Sequence, residues 1–355
     1  MKNLIFQFLR LLLQTVIFWI LAFCLFIFIR YFAIGAEEGV IVTVYHISDI
    51  LFFGVLLGLL IGSLFAVVEF LFDKFLSKNL SLALVLLEKL VIYLIGIILS
   101  LNYVFPIAET ELNLNLTTEI GWWKTSRIFW LIVSYFLICS IVFSFIKIAN
   151  EKFGSGMFFN FLIGKYRTPK EEKRIFMFLD LQASTTIAEE LGHYKYSEFI
   201  QDCFYDLNRI VSKYNAEIYQ YVGDEAVLSW KYKKGIKNNN CVDLFFHFQK
   251  RIEKKQKYYY SKYNLAPVFK AGLHGGKLII TEVGTIKKEI AYHGDVINTT
   301  ARIQGECNKY KELLLCSNTL LMELKLSNKY STEFIGNLEL KGKEEKCKIS
   351  AIKSI

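Results

Sequence analysis

No two of the seven cysteines stand in CxxC spacing, and the histidines show no metal-ligand spacing among themselves. Cys24 and Cys139 fall in the apolar first part, and Cys203, Cys241, Cys307, Cys316 and Cys347 are scattered through the rest. That pattern excludes a zinc site and a disulfide framework and suits reduced, cytosolic thiols. His193, His274 and His293 are accordingly read as structural. Charge is missing from long stretches as well. No ionisable residue interrupts 11–29, 50–68, 90–108 or 128–146, which argues against a proton or ion pathway there. The first of these runs is longer than a signal-peptide core and lacks a small-residue cleavage site, so it reads as retained.

What is present divides the 355 residues in two. The hydrophobic fraction of 54% is too high for an ordinary soluble protein, and it is concentrated before about residue 148. Each uncharged run would span roughly 28 Å as a helix, enough for a bilayer core. Lys2 and Arg10, Lys74 and Lys78, and Lys147, Lys152 and Lys165 flank one side. Glu37, Glu38, Asp49, Glu109, Glu111 and Glu119 fall on the other. Both termini are therefore expected in the cytoplasm, with Trp122-Trp123 in an outer interfacial belt and a plasma or inner membrane as the location. Glu69, Glu88 and Lys89 are expected at helix ends, in the interface. The region reads as an anchor that also brings two copies together, with a ligand-sensing receptor as the alternative. The net charge of +9 needs no nucleic-acid partner, because membrane flanks and a polyphosphate site both collect Lys and Arg.

The expected division is a four-helix membrane domain over 1–148, a membrane-proximal linker over 149–173 and a water-soluble domain over 174–355. The linker holds the Gly-Ser-Gly break at 154–156 and an apolar stretch, 157–163, suited to the membrane surface or to its twin. From 174 onward the pattern alternates. Strands are expected at 174–180, 216–222, 225–231, 268–277, 289–293, 313–316, 333–338 and 346–352. Helices are expected at 185–213, 240–260, 296–308 and 318–326. Strand, long helix, hairpin, helix and strand give an α+β, βαββαβ-like order.

Three stretches carry chemistry. In FMFLDLQASTT (176–186) an apolar strand delivers Asp180 to a sheet edge, and a small-residue loop follows at a helix start. Free amides there suit a phosphate, and the alternative is that Asp180 or Ser184 caps the helix. In QYVGDE (220–225), Gly223-Asp224 marks a tight turn that would set Asp224 beside Asp180. Two carboxylates converging there can hold two Mg²⁺ or Mn²⁺ ions roughly 3.5–4 Å apart, although a lone turn aspartate is ordinary. In GDVINTTAR (294–302), Asn298 and Arg302 share one helix face. An amide and a guanidinium can hold a ribose and a transferring phosphoryl group, whereas an isolated N-x-x-x-R is usually just a polar face.

Taken together, FMFLDLQASTT, YVGDEAVLSW, AGLHGGKLII, GDVINTTARI and the terminal LKGK (340–343) resemble, in order, the motifs of the class III adenylate/guanylate cyclases. The resemblance covers 175–352 and implies a ferredoxin-like α+β catalytic core acting as a homodimer with shared sites. It implies two Mg²⁺ or Mn²⁺ ions held by Asp180, Asp224 and the Leu181 backbone of one subunit. Catalytic Asn298 and Arg302 would come from the other subunit, Ser184 and Thr185 would seat phosphate, and Lys341 or Lys343 would contact the triphosphate. Gln220 stands where the family usually has Lys or Glu, and Ala291 where it has Asp, Thr or Cys. Glutamine can donate and accept, alanine does neither, and ATP is the expected substrate, with GTP or both as the alternative. A domain that binds nucleotide without turning it over is the reading from another class. VGDEA superficially resembles the GGDEF diguanylate cyclases but lacks their second glycine and phenylalanine. The basic-aromatic KRIEKKQKYYYSKY (250–263) is expected to be the solvated face of a helix and its exit, near anionic lipid rather than on nucleic acid.

Overall fold

The computed structural model describes residues 2–33, 47–72, 81–112, 124, 127–154, 157–339 and 346–355. Its contacts separate two compact units, Met1–Lys152 and Phe153–Ile355.

The first unit holds four helices: α1 (Lys2–Ala33), α2 (Ile47–Leu71), α3 (Leu82–Leu112) and α4 (Arg127–Phe153). Each contains a stretch long and apolar enough to cross a membrane: Phe8–Ile29, Leu51–Leu71, Ala83–Ala108 and Phe129–Asn150. The α1 and α2 backbones meet closely through glycine. A Cβ added at Gly58 or Gly62 would stand 2.6 Å from the Cα of Ile20 or Val16, the small-residue packing that membrane helices use. Trp19, Phe23, Phe65 and Phe136 fill the core, and Tyr93 stacks on Phe65 at 3.5 Å.

Here one expectation fails. Glu69 and Lys89, expected in the interface, are buried at 1% and 6% exposure. Glu69 of α2 accepts from Lys89 of α3 at 2.7 Å, from Tyr93 of α3 at 2.6 Å and from Lys147 of α4. The candidate spans reach past the uncharged runs, so ionisable residues do lie within them. Charges taken out of water persist when each is paired and hydrogen-bonded, and one carboxylate binding two helices meets that condition. Glu88 is exposed.

The second unit opens with α5 (Met157–Leu162) and continues β1 (Lys170–Leu181), α6 (Ser184–Val211), β2 (Glu217–Val222), β3 (Glu225–Lys231), α7 (Tyr232–Ile236), α8 (Asn240–Lys254) and α9 (Gln256–Tyr263). Then come β4 (Phe269–Val283), β5 (Glu289–His293), α10 (Asp295–Gly305), α11 (Cys307–Tyr310), β6 (Leu314–Ser317), α12 (Asn318–Leu321), β7 (Tyr330–Leu338) and β8 (Cys347–Ser354). The strands form one sheet in the order β2-β3-β1-β4-β6-β8-β7, with β5 paired to β4. Among these pairs only β4 and β6 run parallel. The β2-β3-β1-β4 portion is the ferredoxin-like βαββαβ arrangement.

Strand alternation sends Ile175, Met177 and Leu179 to the face covered by α6 and α8, where Phe199, Leu207, Phe245 and Phe248 close the core. Phe176 and Phe178 point the other way, towards Leu278, Tyr292 and Val296. β1 begins four residues earlier than expected, because Lys170–Lys173 pair with the far end of a β4 that itself runs on to Val283. The helix expected over 240–260 breaks at Lys255. The turn there lets α9 reach α6. Buried Asp206 takes Arg251, Lys255 and the Tyr259 hydroxyl, and Asp202 takes Tyr258, Lys262 and Tyr263. Most of the basic-aromatic stretch is solvent-exposed, as expected of a helix face, while Ile252, Tyr259 and Tyr263 turn inward and its cations and phenols staple it to Asp202 and Asp206 of α6.

Candidate active site

β1 ends where its apolar alternation ends, and Asp180 sits there with its side chain 23% exposed. Gln182 is tied back by its N–H to the Val268 carbonyl at 2.8 Å. Ala183 then takes a left-handed conformation (φ 55°), and Ser184 opens α6. No side chain caps this helix. Asp180 and Ser184 are thus not caps. The first-turn amides of a helix have no partner within it, and here none is supplied by a cap, so they are available to an anion. Thr185 is exposed beside them.

The β2–β3 hairpin brings in the second carboxylate. Val222 pairs with Glu225 across the Gly223-Asp224 turn, and Gly223 (φ 62°) supplies the left-handed residue. β3 lies against β1 with Glu225 directly opposite Asp180, which puts Asp224 one residue from Asp180's cross-strand neighbour. The electrostatics register this crowding. Burial first, then the charges of Asp180 and Asp224, push the Glu225 carboxyl up to about 7, while Lys270 pulls it back. The Tyr196 phenol is raised by burial and then by Asp224, with Asp180 adding to it.

This donor set fits a hard divalent cation. Carboxylate charge is concentrated at one sheet edge, and oxygen ligands are what Mg²⁺ and Mn²⁺ take. Among the described residues no three His, Cys, Asp or Glu side chains converge closely enough to hold an ion by themselves. The two aspartates would therefore need completion by a backbone carbonyl such as Leu181 and by phosphate oxygens.

Two residues that the sequence reading passed over hold Asp180 in place. Lys270, its other cross-strand neighbour, lies 3.1 Å from Oδ2, and Gln304 of α10 donates to the same oxygen at 2.8 Å. A lysine inside the apolar strand FKAGL was the available signal for the first. Gln304 reaches Asp180 because Gly272 lets α10 lie directly on β4. A Cβ at Gly272 would stand 2.4 Å from the Gln304 backbone nitrogen.

On α10 the inward face is Val296, Thr300, Ile303 and Gln304. Asn298 is exposed and Arg302 half-buried. No hydrogen bond or ion pair joins either to Asp180 or Asp224 among the described residues. Gln220, just past a bulge in β2, is exposed, and Ala291 is half-buried opposite Thr281 of β4. Asp180, Asp224 and the α6 amides thus lie at one sheet edge, and among the described residues no hydrogen bond or ion pair ties Asn298, Arg302, Gln220 or Ala291 to either aspartate. Lys341 and Lys343 lie outside the described residues. His274 bonds Ser317 at 2.7 Å, consistent with a structural role.

A ferredoxin-like sheet with Asp180 and Asp224 at its edge, beside an uncapped helix start, is an arrangement able to take a phosphate and a hard cation. The family model "Adenylate and Guanylate cyclase catalytic domain" matches residues 167–352, and the chain belongs to that family. It is 33% identical over 221 residues to "Adenylate cyclase 2" of Rhizobium meliloti (strain 1021), covering 62% of this chain and 61% of that protein. The chain thus spans about three-fifths of the length of that curated relative. Two solved structures of a bacterial light-regulated adenylyl cyclase share the fold. One has a TM-score of 0.54 at 15% identity over 64% of this chain and 66% of that one. The other has a TM-score of 0.53 at 17% identity over 64% and 65%.

Proposed function

We propose that the chain is a membrane-anchored nucleotide cyclase that converts ATP to cyclic AMP and pyrophosphate in a homodimer. The observation that carries this reading is the meeting of Asp180 and Asp224 at one sheet edge beside the uncapped start of α6. In the reaction the ribose 3′-oxygen bonds to the α-phosphorus and the bond to the β-phosphate bridging oxygen breaks. The 3′-hydroxyl proton goes to solvent, and pyrophosphate leaves. Asp180, Asp224 and the Leu181 carbonyl would hold two Mg²⁺ or Mn²⁺ ions, which would lower the 3′-hydroxyl pKa and neutralise phosphate charge. The amides at Ser184 and Thr185 receive the departing pyrophosphate.

The partner copy supplies Asn298 to the ribose and Arg302 to the charge developing on the transferring phosphoryl group. That Asp180 is engaged by Lys270 and Gln304, and by neither Asn298 nor Arg302 among the described residues, supports a shared site. Lys341 and Lys343 are the triphosphate contacts to test, and Gln220 and Ala291 sit where the base is read. Residues 1–148 anchor the protein in lipid, 149–173 link, and 174–355 catalyse in the cytoplasm.

Purified full-length protein with Mn²⁺ is expected to form cyclic AMP from ATP, and Asp180→Ala to abolish this while the protein stays folded. Cyclic GMP from GTP at equal or higher rate would reassign the base. No cyclic product from either nucleotide, in a folded dimer that binds nucleotide, would leave a receptor or scaffold instead.

A further inference from the structure

A chain of buried polar contacts runs from the segment before β1 to the two strands that carry Gln220 and Ala291. Tyr166 is 1% exposed, and its carbonyl accepts the N–H of Glu282, in the arm of β4 that pairs with β5. Its hydroxyl donates to Glu172 Oε1 at 2.9 Å, and Lys165 reaches the same oxygen at 3.1 Å. The other Glu172 oxygen accepts from Arg174 Nε at 3.2 Å. Arg174, also 1% exposed, donates through Nη1 to Glu217 of β2 at 2.7 Å and to Ser229 of β3 at 3.2 Å. Its guanidinium lies over the Tyr292 ring at 5.2 Å.

The chain ends on two tyrosines. Tyr292 meets Tyr219 edge-on at 4.6 Å, and Phe176 stands edge-on to both rings. β2 and β5 are not paired strands, since β2 pairs with β3 and β5 with β4. This tyrosine contact, backed by Arg174, is therefore a direct link between them. Tyr219 immediately precedes Gln220, and Tyr292 immediately follows Ala291.

Resting on the nucleotide-cyclase reading above, we propose that Arg174 is a positioning residue for base recognition. Through Glu217 and the Tyr292–Tyr219 pair it fixes the relative placement of β2 and β5, and hence of Gln220 and Ala291. Tyr166 fixes Arg174 in turn through Glu172. A guanidinium suits this task where an ammonium does not, because it can bond two carboxylates and stack on a ring at once.

The test uses the full-length protein with Mn²⁺ and reads two things. One is the affinity for ATP and for GTP, by competition with a fluorescent nucleotide. The other is KM against kcat for each nucleotide. Arg174→Lys and Tyr166→Phe are expected to change the ATP:GTP affinity ratio by about two- to tenfold, the worth of one or two hydrogen bonds. KM should follow, with kcat for the preferred nucleotide nearly constant. Glu323→Gln serves as the control. It cuts the neighbouring pair to Lys173, at 3.0 Å on the opposite face of β1, and should leave the ratio unchanged.

If Arg174→Lys fails to fold, Tyr166→Phe, which deletes a single hydroxyl, carries the test. An unchanged ratio in the folded variants overturns the inference, as does an equal change in the control. A wild-type chain that binds nucleotide without turnover overturns the proposed activity only, and the binding ratio still decides this inference. A wild type that binds neither nucleotide overturns both.

Discussion

Replacing Lys270 by methionine keeps the length of the side chain and removes its charge. The lysine is 10% exposed at its side chain, 3.1 Å from Asp180, with a second bond to Asn308 at 3.0 Å. Breaking a fully buried ion pair from one side costs about 3–5 kcal/mol. Asp180 is partly solvated, so the expected loss is about 2–3 kcal/mol. In a unit of this size 1 kcal/mol moves the melting midpoint by about 2–4 °C, which puts the shift at roughly 4–12 °C downward. The variant leaves Asp180 facing Asp224 and Glu225 with less opposing charge. A divalent cation should then restore what the lysine supplied. Mn²⁺ at a hundred times its Kd contributes about 2.7 kcal/mol, and most of the lost midpoint should return. The assay is thermal unfolding of the full-length protein in detergent, following the transition of the catalytic unit, once in EDTA and once with saturating Mn²⁺. A Lys270→Met midpoint equal to wild type in EDTA would refute the reasoning. So would a Mn²⁺ shift no larger than the wild-type shift.

Two further outcomes follow from buried carboxylates elsewhere. Asp206→Asn should cost about 2–4 kcal/mol in urea unfolding, because Arg251, Lys255 and Tyr259 all lose their acceptor charge; it should leave nucleotide affinity unchanged. Glu69→Gln leaves Lys89 and Lys147 without this carboxylate and should make the helical unit about 3–5 kcal/mol less resistant to denaturing detergent, while Glu88→Gln, at an exposed position, should not.

Much of the site is legible in the sequence because local chemistry specifies it. Asp180 ends a run of strand-forming apolar residues, Gly223-Asp224 can hardly be other than a turn, and Asn298 and Arg302 fall one helical turn apart. What escapes the sequence is tertiary choice. Gln304 reaches Asp180 only because Gly272 admits a helix against the sheet, and nothing near Gln304 announces that. The break at Lys255 has no glycine or proline to mark it, and the carboxylate that residues on both sides of it reach, Asp206, is nearly 50 residues earlier in the chain. Glu69 looks interfacial from its place near a helix end, and its burial becomes visible only when Lys89 and Lys147 arrive from two other helices. Arg174 reads as the polar start of a strand, yet it is among the most buried side chains of the catalytic unit.

In the proposed cyclase the sites are shared between two copies, with Asp180 and Asp224 from one and Asn298 and Arg302 from the other. Co-expressing Asp180→Ala with Arg302→Ala and measuring cyclic AMP formation tests it most directly. Each variant alone should be inactive. In random dimers half pair one variant with the other, and each of those has one intact site of two, so the mixture should recover about a quarter of wild-type activity. A mixture as inactive as its components, beside an active wild type and with mixed dimers present, would contradict the shared site.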